Sequence, residues 1–468
     1  MTLKRLRADK NVLIWSIVAV WAVIYGYLAH NRGIWIDEWL HFEQIKWDLP
    51  VALKSLFVEI SPFAPGQLML GRIFHAITGG FPSVEFSGRL SSVLMCSLTI
   101  WLSFRMGLKL LPLAVMFSVA MVAMATQSRP YSAMILCGAV AFRMIWVKEP
   151  LSKSEHRLAW FSIAFGHIYG ICYVGMGAFF RKDWRKVLGA ATWLGVVLYA
   201  HVWPEGKLSP FDHANIPPLL EVVRQTFGAI GSPHKAWVLH SVLALVGLTA
   251  LAQAKDWRRL AMIAFYFAAT VIAPLAATII SGYYFMPRQE VGAVFGFLTL
   301  SAFGAERLIH RWRQGHMITK TAYAALVVIP WTLFVMGVPP FIDQPLSKYR
   351  QILETIRDTG AKKVLWADSG NRMCATKYGD RIFGETHQPI KPLMLGPYPA
   401  ETICWAKAGV CIYAMTSEAI FTTDHVRTIN EDVAFLKVVE GNQPTFDLWI
   451  YTAPQLKIKT RAPALRTY

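Results

Sequence analysis

Apolar runs long enough to cross a bilayer recur from Asn11 to about residue 338, and no other feature limits the fold so sharply. In hydrocarbon, every backbone N–H and C=O must be satisfied inside the protein. Runs of roughly 20 apolar residues therefore point to spanning helices. Run length and breakers predict eleven spans: 11–29, 86–108, 111–126, 130–147, the short pair 158–169 and 170–181, then 186–202, 236–253, 259–280, 289–306 and 320–338. Composition agrees, because only 16% of residues are charged against about 25% in a soluble domain. The 18 Trp and 16 Tyr suit aromatic belts at the two interfaces. The first run is longer than the apolar part of a signal peptide, and no small-residue cleavage site follows it. It is expected to be a retained span.

A net charge of +18 would suggest a nucleic-acid partner for a soluble chain. Here the excess sits in short loops between apolar runs, so no nucleic acid is expected. With the amino terminus in the cytoplasm, the loops carrying Arg105/Lys109, Lys148/Lys153/Arg157, Arg181/Lys182/Arg185/Lys186, Lys255/Arg258/Arg259 and Arg307/Arg311/Arg313/Lys320 all face the cytoplasm. Each obeys the positive-inside rule. The assignment depends on reading 158–181 as two short spans, since one long span would invert everything downstream. Segments 30–85, 201–235 and 340–468, with the turns at 127–130 and 281–288, then lie outside. The expected location is a bacterial cytoplasmic (inner) membrane, multi-pass, with the C-terminal domain periplasmic.

The expected fold class is an α-helical polytopic membrane protein with a small C-terminal extracytoplasmic α/β domain, divided as 1–340 and 341–468. In the tail, Tyr349–Thr359 reads as an amphipathic helix, and Lys363–Ala367, Gly409–Ala414 and Leu448–Thr452 read as strands. Cys96, Cys137 and Cys172 fall in spans and read as packing residues. Cys374, Cys404 and Cys411 fall in the tail. An oxidising compartment there allows one disulfide and leaves one thiol over. No Cys-x-x-Cys or His-rich zinc spacing occurs.

Five polar features interrupt this apolar background. Just outside the first span, Trp35-Ile36-Asp37-Glu38-Trp39-Leu40-His41 places two carboxylates among aromatic residues. Such a pair is either an ordinary solvated loop or, where Trp partly desolvates it, a general base for an attacking hydroxyl or amine. Next, Phe63-Ala64-Pro65-Gly66-Gln67-Leu68-Met69-Leu70-Gly71-Arg72 reads as an apolar helix starting at Pro. It leads to Arg89-Leu90-Ser91-Ser92. Arg72 reads as a snorkelling side chain. Gln127-Ser128-Arg129-Pro130-Tyr131 and Tyr283-Tyr284-Phe285-Met286-Pro287-Arg288-Gln289 each hold an Arg at a Pro turn on an outer end. Each Arg is either an interfacial anchor or an anion ligand. His167, at the outer turn of the short pair, reads as an interfacial residue when taken alone.

The order and spacing of these features resemble the bacterial branch of the GT-C glycosyltransferases, which includes protein O-mannosyltransferases, the lipid A aminoarabinose transferase and rhizobial lipid A galacturonosyltransferases. The resemblance covers roughly residues 10–310. This chain departs from the group's pattern at several positions. Ala64-Pro65 replaces a Pro-Pro, Phe63 a preceding His, Gln127 an acidic residue, and Arg288-Gln289 an Arg-Tyr pair. The residues nearest to hand for the acid lost at Gln127 are Glu59 and Glu205.

The resemblance implies a glycosyltransferase that moves a sugar from a polyprenyl-phosphate donor to an envelope acceptor, whether lipid A, polysaccharide, lipid or protein, with inversion. It implies Asp37 as general base, with Glu38 supporting it or positioning the acceptor. Arg129 and Arg288 would hold the donor phosphate, with Tyr131 and His167 at the substrate. Some members bind a divalent metal outside; the residues offering here are His201, Glu205 and Glu59. Membrane lipids are the remaining expected partner. Two other classes compete with this reading. A glycan polymerase or ligase would place its Arg and His in the 201–235 loop, which has His201, His213 and Arg224. A transporter would need ionisable residues at mid-membrane and inverted repeats, neither of which is evident.

Overall fold

The computed structural model describes residues 3–31, 36–46, 48–51, 65–81, 84–202, 236–276, 287–312, most of 315–329 and 332, and strand segments between 361 and 452. The chain divides into two compact units, Met1–Asn31 with His41–Asp343, and Arg32–Leu40 with Gln344–Tyr468.

The described helices are α1 (Leu3–Asn31), α2 (Ile36–Lys46), α3 (Pro65–Thr78), α4 (Val84–Ser103), α5 (Leu111–Met116), α6 (Val119–Ala125), α7 (Tyr131–Trp146), α8 (Lys153–Phe165), α9 (Ile168–Phe180), α10 (Trp184–Val202), α11 (Ala236–Gln253), α12 (Trp257–Phe267) and α13 (Val294–Trp312). A π-helical turn continues α12 through Ala268–Ile272, and a 3-10 turn, Pro287–Ala293, leads into α13. All but the first residues of α2 belong to the first unit.

The first unit has the burial pattern of a bundle in lipid. Helix α7 is buried on every side, and α4 and α13 pack against it. The flanking helices expose large apolar side chains instead: Val23 on α1 is 72% exposed, and Leu245 on α11 is 61% exposed. Water would penalise such surfaces, but a bilayer satisfies them. Asn11–His30, Trp257–Ala276 and Glu290–Trp312 are long and apolar enough to cross a membrane. Tyr131–Trp146, Ile168–Phe180, Trp237–Gln253 and Met317–Ile329 are shorter apolar helices.

Two regions differ from or sharpen the span-by-span expectation. Segment 111–126 is not one continuous helix. Ser118 is extended between α5 and α6, and its Oγ accepts from Met121 N–H. A serine that caps a new helix start offers the backbone an alternative to continuing the old one. The freed Met116 carbonyl accepts from the Tyr25 hydroxyl at 3.3 Å. Segment 158–181 is a helical hairpin. Gly166 and His167 are both extended and separate α8 from α9. Glu155 at the start of α8 and Arg181 at the end of α9 both bond to the last turn of α7, through Arg143 and the Met144 carbonyl. The chain therefore enters and leaves this hairpin at one end.

Where α11 and α13 cross, glycine permits main-chain contact. A Cβ on Gly304 would lie 1.9 Å from the Leu243 carbonyl oxygen, and one on Gly247 would lie 2.6 Å from that of Leu300. Small residues let spanning helices approach this closely, and dispersion between them then holds the pair. Gly304→Ala is expected to force the helices apart and destabilise the unit by about 1–3 kcal/mol. A thermal melt in detergent should show the loss, and an unchanged melt would refute this crossing.

In the second unit the described elements are β1 (Ala361–Trp366), β2 (Lys391–Met394), β3 (Trp405–Ala406), β4 (Val410–Thr416), β5 (Ala434–Val439) and β6 (Phe446–Thr452). The sheet order is β2-β1-β4-β6-β5, with β3 paired to β1. Its β1 is parallel to β2 and β4, while β4/β6 and β5/β6 are antiparallel. The three strands expected from sequence are β1, β4 and β6. Tyr349–Thr359, Cys374 and Cys404 lie outside the described residues.

Candidate functional site

Within the first unit, four of the motifs read from sequence converge on one end of α7. The turn joining α6 to α7 carries Arg129. Thr126 ends α6, its Oγ1 donating back to the Val122 carbonyl at 2.9 Å. Ser128 Oγ then donates to the Gly88 carbonyl at 2.7 Å, which fastens the turn to the start of α4. Pro130 is the residue before α7 and has a φ of −68°, suited to leading into a helix.

Gln67, on α3, is the pin of this assembly. It is fully buried. Its Nε2 donates to the Arg129 carbonyl at 2.8 Å, and lies 3.2 Å from Ser92 Oγ and 3.4 Å from Ser132 Oγ. One amide therefore holds together α3, α4 and the Arg129 turn. The Arg129 guanidinium lies over the Tyr131 ring, 5.8 Å from its centroid. That is a cation–π distance.

Arg89 explains why the Arg-Leu-Ser-Ser run begins a span. Its side chain is fully buried, and Nη1 donates to the Ala29 carbonyl at 2.6 Å. A helix end leaves carbonyls without intrahelical donors, and a buried cation satisfies one with a charge-assisted bond. Arg72 acts similarly on α2, donating from Nη1 to the Gln44 carbonyl at 3.2 Å.

His167 sits at the tip of the α8–α9 hairpin and is 6% exposed. Its Nδ1 accepts from Tyr169 N–H at 3.2 Å, so the imidazole is the N-cap of α9. An accepting Nδ1 assigns the ring proton to Nε2 in the neutral form. Arg129 is within electrostatic reach of this ring. The hairpin tip also touches α3. A Cβ on Gly66 would lie 2.2 Å from the Ala164 carbonyl oxygen, so Gly66 fits because it has none.

Asp37 and Glu38 lie in the first turn of α2, where carboxylates favour the positive end of the helix dipole. Their segment, Arg32–Leu40, belongs to the second unit. Glu38 is fully buried. Arg288 is the second residue of the 3-10 turn before α13.

Sequence reasoning missed Glu290, which is fully buried on that same turn. The turn packs against α7. The signal was present, because an ionisable residue at the mouth of an apolar span is costly and marks a functional position by default. Among the described residues no cluster of three or more His, Cys, Asp or Glu is placed to hold a metal ion. His201 is in the last turn of α10, while Glu59, Glu205, His213 and Arg224 lie outside the described residues.

The chain matches no protein-family model and no curated protein. A solved structure does match: ArnT from Cupriavidus metallidurans in the apo state, at 10% sequence identity and a TM-score of 0.50, over 95% of this chain and 98% of that one. At that identity the likeness is one of fold. That fold and the three described helices long and apolar enough to cross a membrane agree with a helical membrane protein.

Proposed function

We propose that this protein is an integral-membrane glycosyltransferase that takes a sugar from a polyprenyl-phosphate donor and passes it to an envelope acceptor on the outer face of the membrane. The observation that carries the reading is the convergence of Gln67, Ser92, Arg129 and Ser132 at one end of the bundle, with His167 at the neighbouring hairpin tip. Charged and polar side chains are costly inside a bilayer, and a fixed cluster of them marks a site. The GT-C fold supports the same class.

In the proposed reaction an acceptor hydroxyl or amine attacks the anomeric carbon. The bond from that carbon to the phosphate oxygen breaks, and the electron pair leaves with the polyprenyl phosphate. Direct displacement inverts the anomeric centre. Asp37 takes the acceptor proton, and Glu38 holds the helix turn that presents it. Arg129 and Arg288 receive the phosphate, whose negative charge grows as the bond breaks. Guanidinium groups aimed at that charge stabilise the transition state more than the ground state. Tyr131, under the Arg129 guanidinium, keeps that side chain in place. His167, as a neutral donor, suits a sugar hydroxyl. A divalent metal, where one is used, would draw on Glu59, His201 and Glu205. The acceptor class, lipid or glycan, and the C-terminal unit's role as an acceptor-recognising domain outside the membrane belong to the same reading.

Mass spectrometry of envelope glycolipids and glycans from cells with and without the protein tests this directly. Its loss is expected to yield one acceptor species lighter by a single sugar, with the matching polyprenyl-phosphate sugar accumulating. An unchanged donor pool and an unchanged glycan profile would overturn the proposal.

A further inference from the structure

The other end of α7 has a polar cluster that the transfer reaction does not use. Arg143, in the last turn of α7, is 6% exposed, and its Nε donates to Glu155 Oε1 at 2.8 Å. Its Nη1 is buried and has no hydrogen-bond partner among the described residues. Arg181, at the end of α9, donates from Nε to the Met144 carbonyl at 2.6 Å and from Nη1 to the Lys148 carbonyl at 3.0 Å. Its Nη2 is likewise buried without a partner. The two guanidinium groups are within electrostatic reach of each other.

The local charge does not balance. Arg105, Arg143, Lys148, Arg181, Arg258 and Arg259 act here against Glu149, Glu155 and Asp256, six positive charges against three negative. A buried guanidinium N–H without an acceptor costs free energy, and nature rarely leaves one so. An anion that accepted from both forks would satisfy two donors and offset the excess charge. A phosphate suits, because its oxygens match the spacing of guanidinium donors.

The surroundings say where that phosphate comes from. Phe179, Trp184 and Trp257 are all more than half exposed around this end. Exposed aromatic side chains beside basic loops mark the level of lipid headgroups. Basic pockets between spanning helices at that level recruit anionic lipid headgroups. We propose that Arg143 and Arg181 form a site for the phosphate of an anionic phospholipid, bound where the α8–α9 hairpin meets the last turn of α7.

The test uses the full-length protein purified in a neutral detergent. Native mass spectrometry counts phosphatidylglycerol or phosphatidylcholine retained from mixed micelles, and a thermal melt follows each addition. Phosphatidylglycerol is expected to be retained and to raise the melting temperature, while phosphatidylcholine does neither. Arg181→Ala is expected to weaken phosphatidylglycerol binding at least tenfold. Arg181→Lys keeps the charge but not the fork, and should lose binding to a similar degree even if the alanine variant folds poorly. Lys148→Ala removes the same charge from an exposed side chain nearby and should bind as the unmodified protein does. Equal retention by the Arg181 variants and the parent would overturn the site. So would an equal loss in Lys148→Ala, which would mean diffuse attraction only. A shift with inorganic phosphate but none with phosphatidylglycerol would overturn the lipid assignment.

Discussion

Asp37→Asn is expected to reduce sugar transfer by a factor of roughly 100 to 10,000, the usual worth of a positioned general base. The amide keeps the shape of the carboxylate but cannot take the acceptor's proton. The fold should survive. Asp37 lies in the first turn of α2, and an acid there contributes only about 0.3–1 kcal/mol through the helix dipole. The loss should appear in kcat for transfer from a polyprenyl-phosphate sugar in proteoliposomes, with KM for the donor nearly constant. A transporter would be almost indifferent to the change. Transfer at the parent rate would remove the base from the mechanism.

Arg143→Met is expected to destabilise the helical unit by about 3–5 kcal/mol, because it strands a buried carboxylate. Glu155 is 3% exposed and lies 2.8 Å from the guanidinium. Ser152 N–H remains, donating to the other carboxylate oxygen at 2.7 Å, but one amide does not replace a cation. The double variant Arg143→Met, Glu155→Leu should recover most of that loss, since apolar residues of similar volume often replace a buried ion pair without cost. Thermal unfolding of the single and double variants in one detergent decides the point. A single variant as stable as its parent would show that the pair is not a structural tie.

How far the sequence could be read depended on the kind of signal. Apolar run length found α11 and the apolar stretch Asn11–His30 of α1 almost residue for residue, and found α13 more than a turn too early, because length and composition are what a bilayer demands of a helix. It failed at Ser118, where a polar cap inside an apolar run divides 111–126 into two short helices. It also ran past Ser103, where α4 gives way to a turn containing Gly107 at a φ of +77°. The pair at 158–181 was legible because Gly166 and His167 together make a break and a cap. The tail's β1, β4 and β6 showed their apolar character, whereas β2 and β3 are too short to carry a pattern.

The candidate site was half legible. Arg129, Tyr131 and His167 stood out as polar residues at turns, and the structure keeps them at one end of the bundle. Gln67 did not stand out, because a neutral amide in an apolar helix carries no charge to notice. Its role comes from three partners that are distant in sequence. Glu290 was absorbed into a predicted span.

The contact of Gly66 with the Ala164 carbonyl has a mechanical meaning. Backbone meets backbone there, so no pliable groups lie between the two parts to cushion a displacement. Any rocking of Pro65–Thr78 would be handed on undamped to the hairpin turn at Gly166 and His167. A shift at one of these two elements would thus reach the other without a relay of moving side chains.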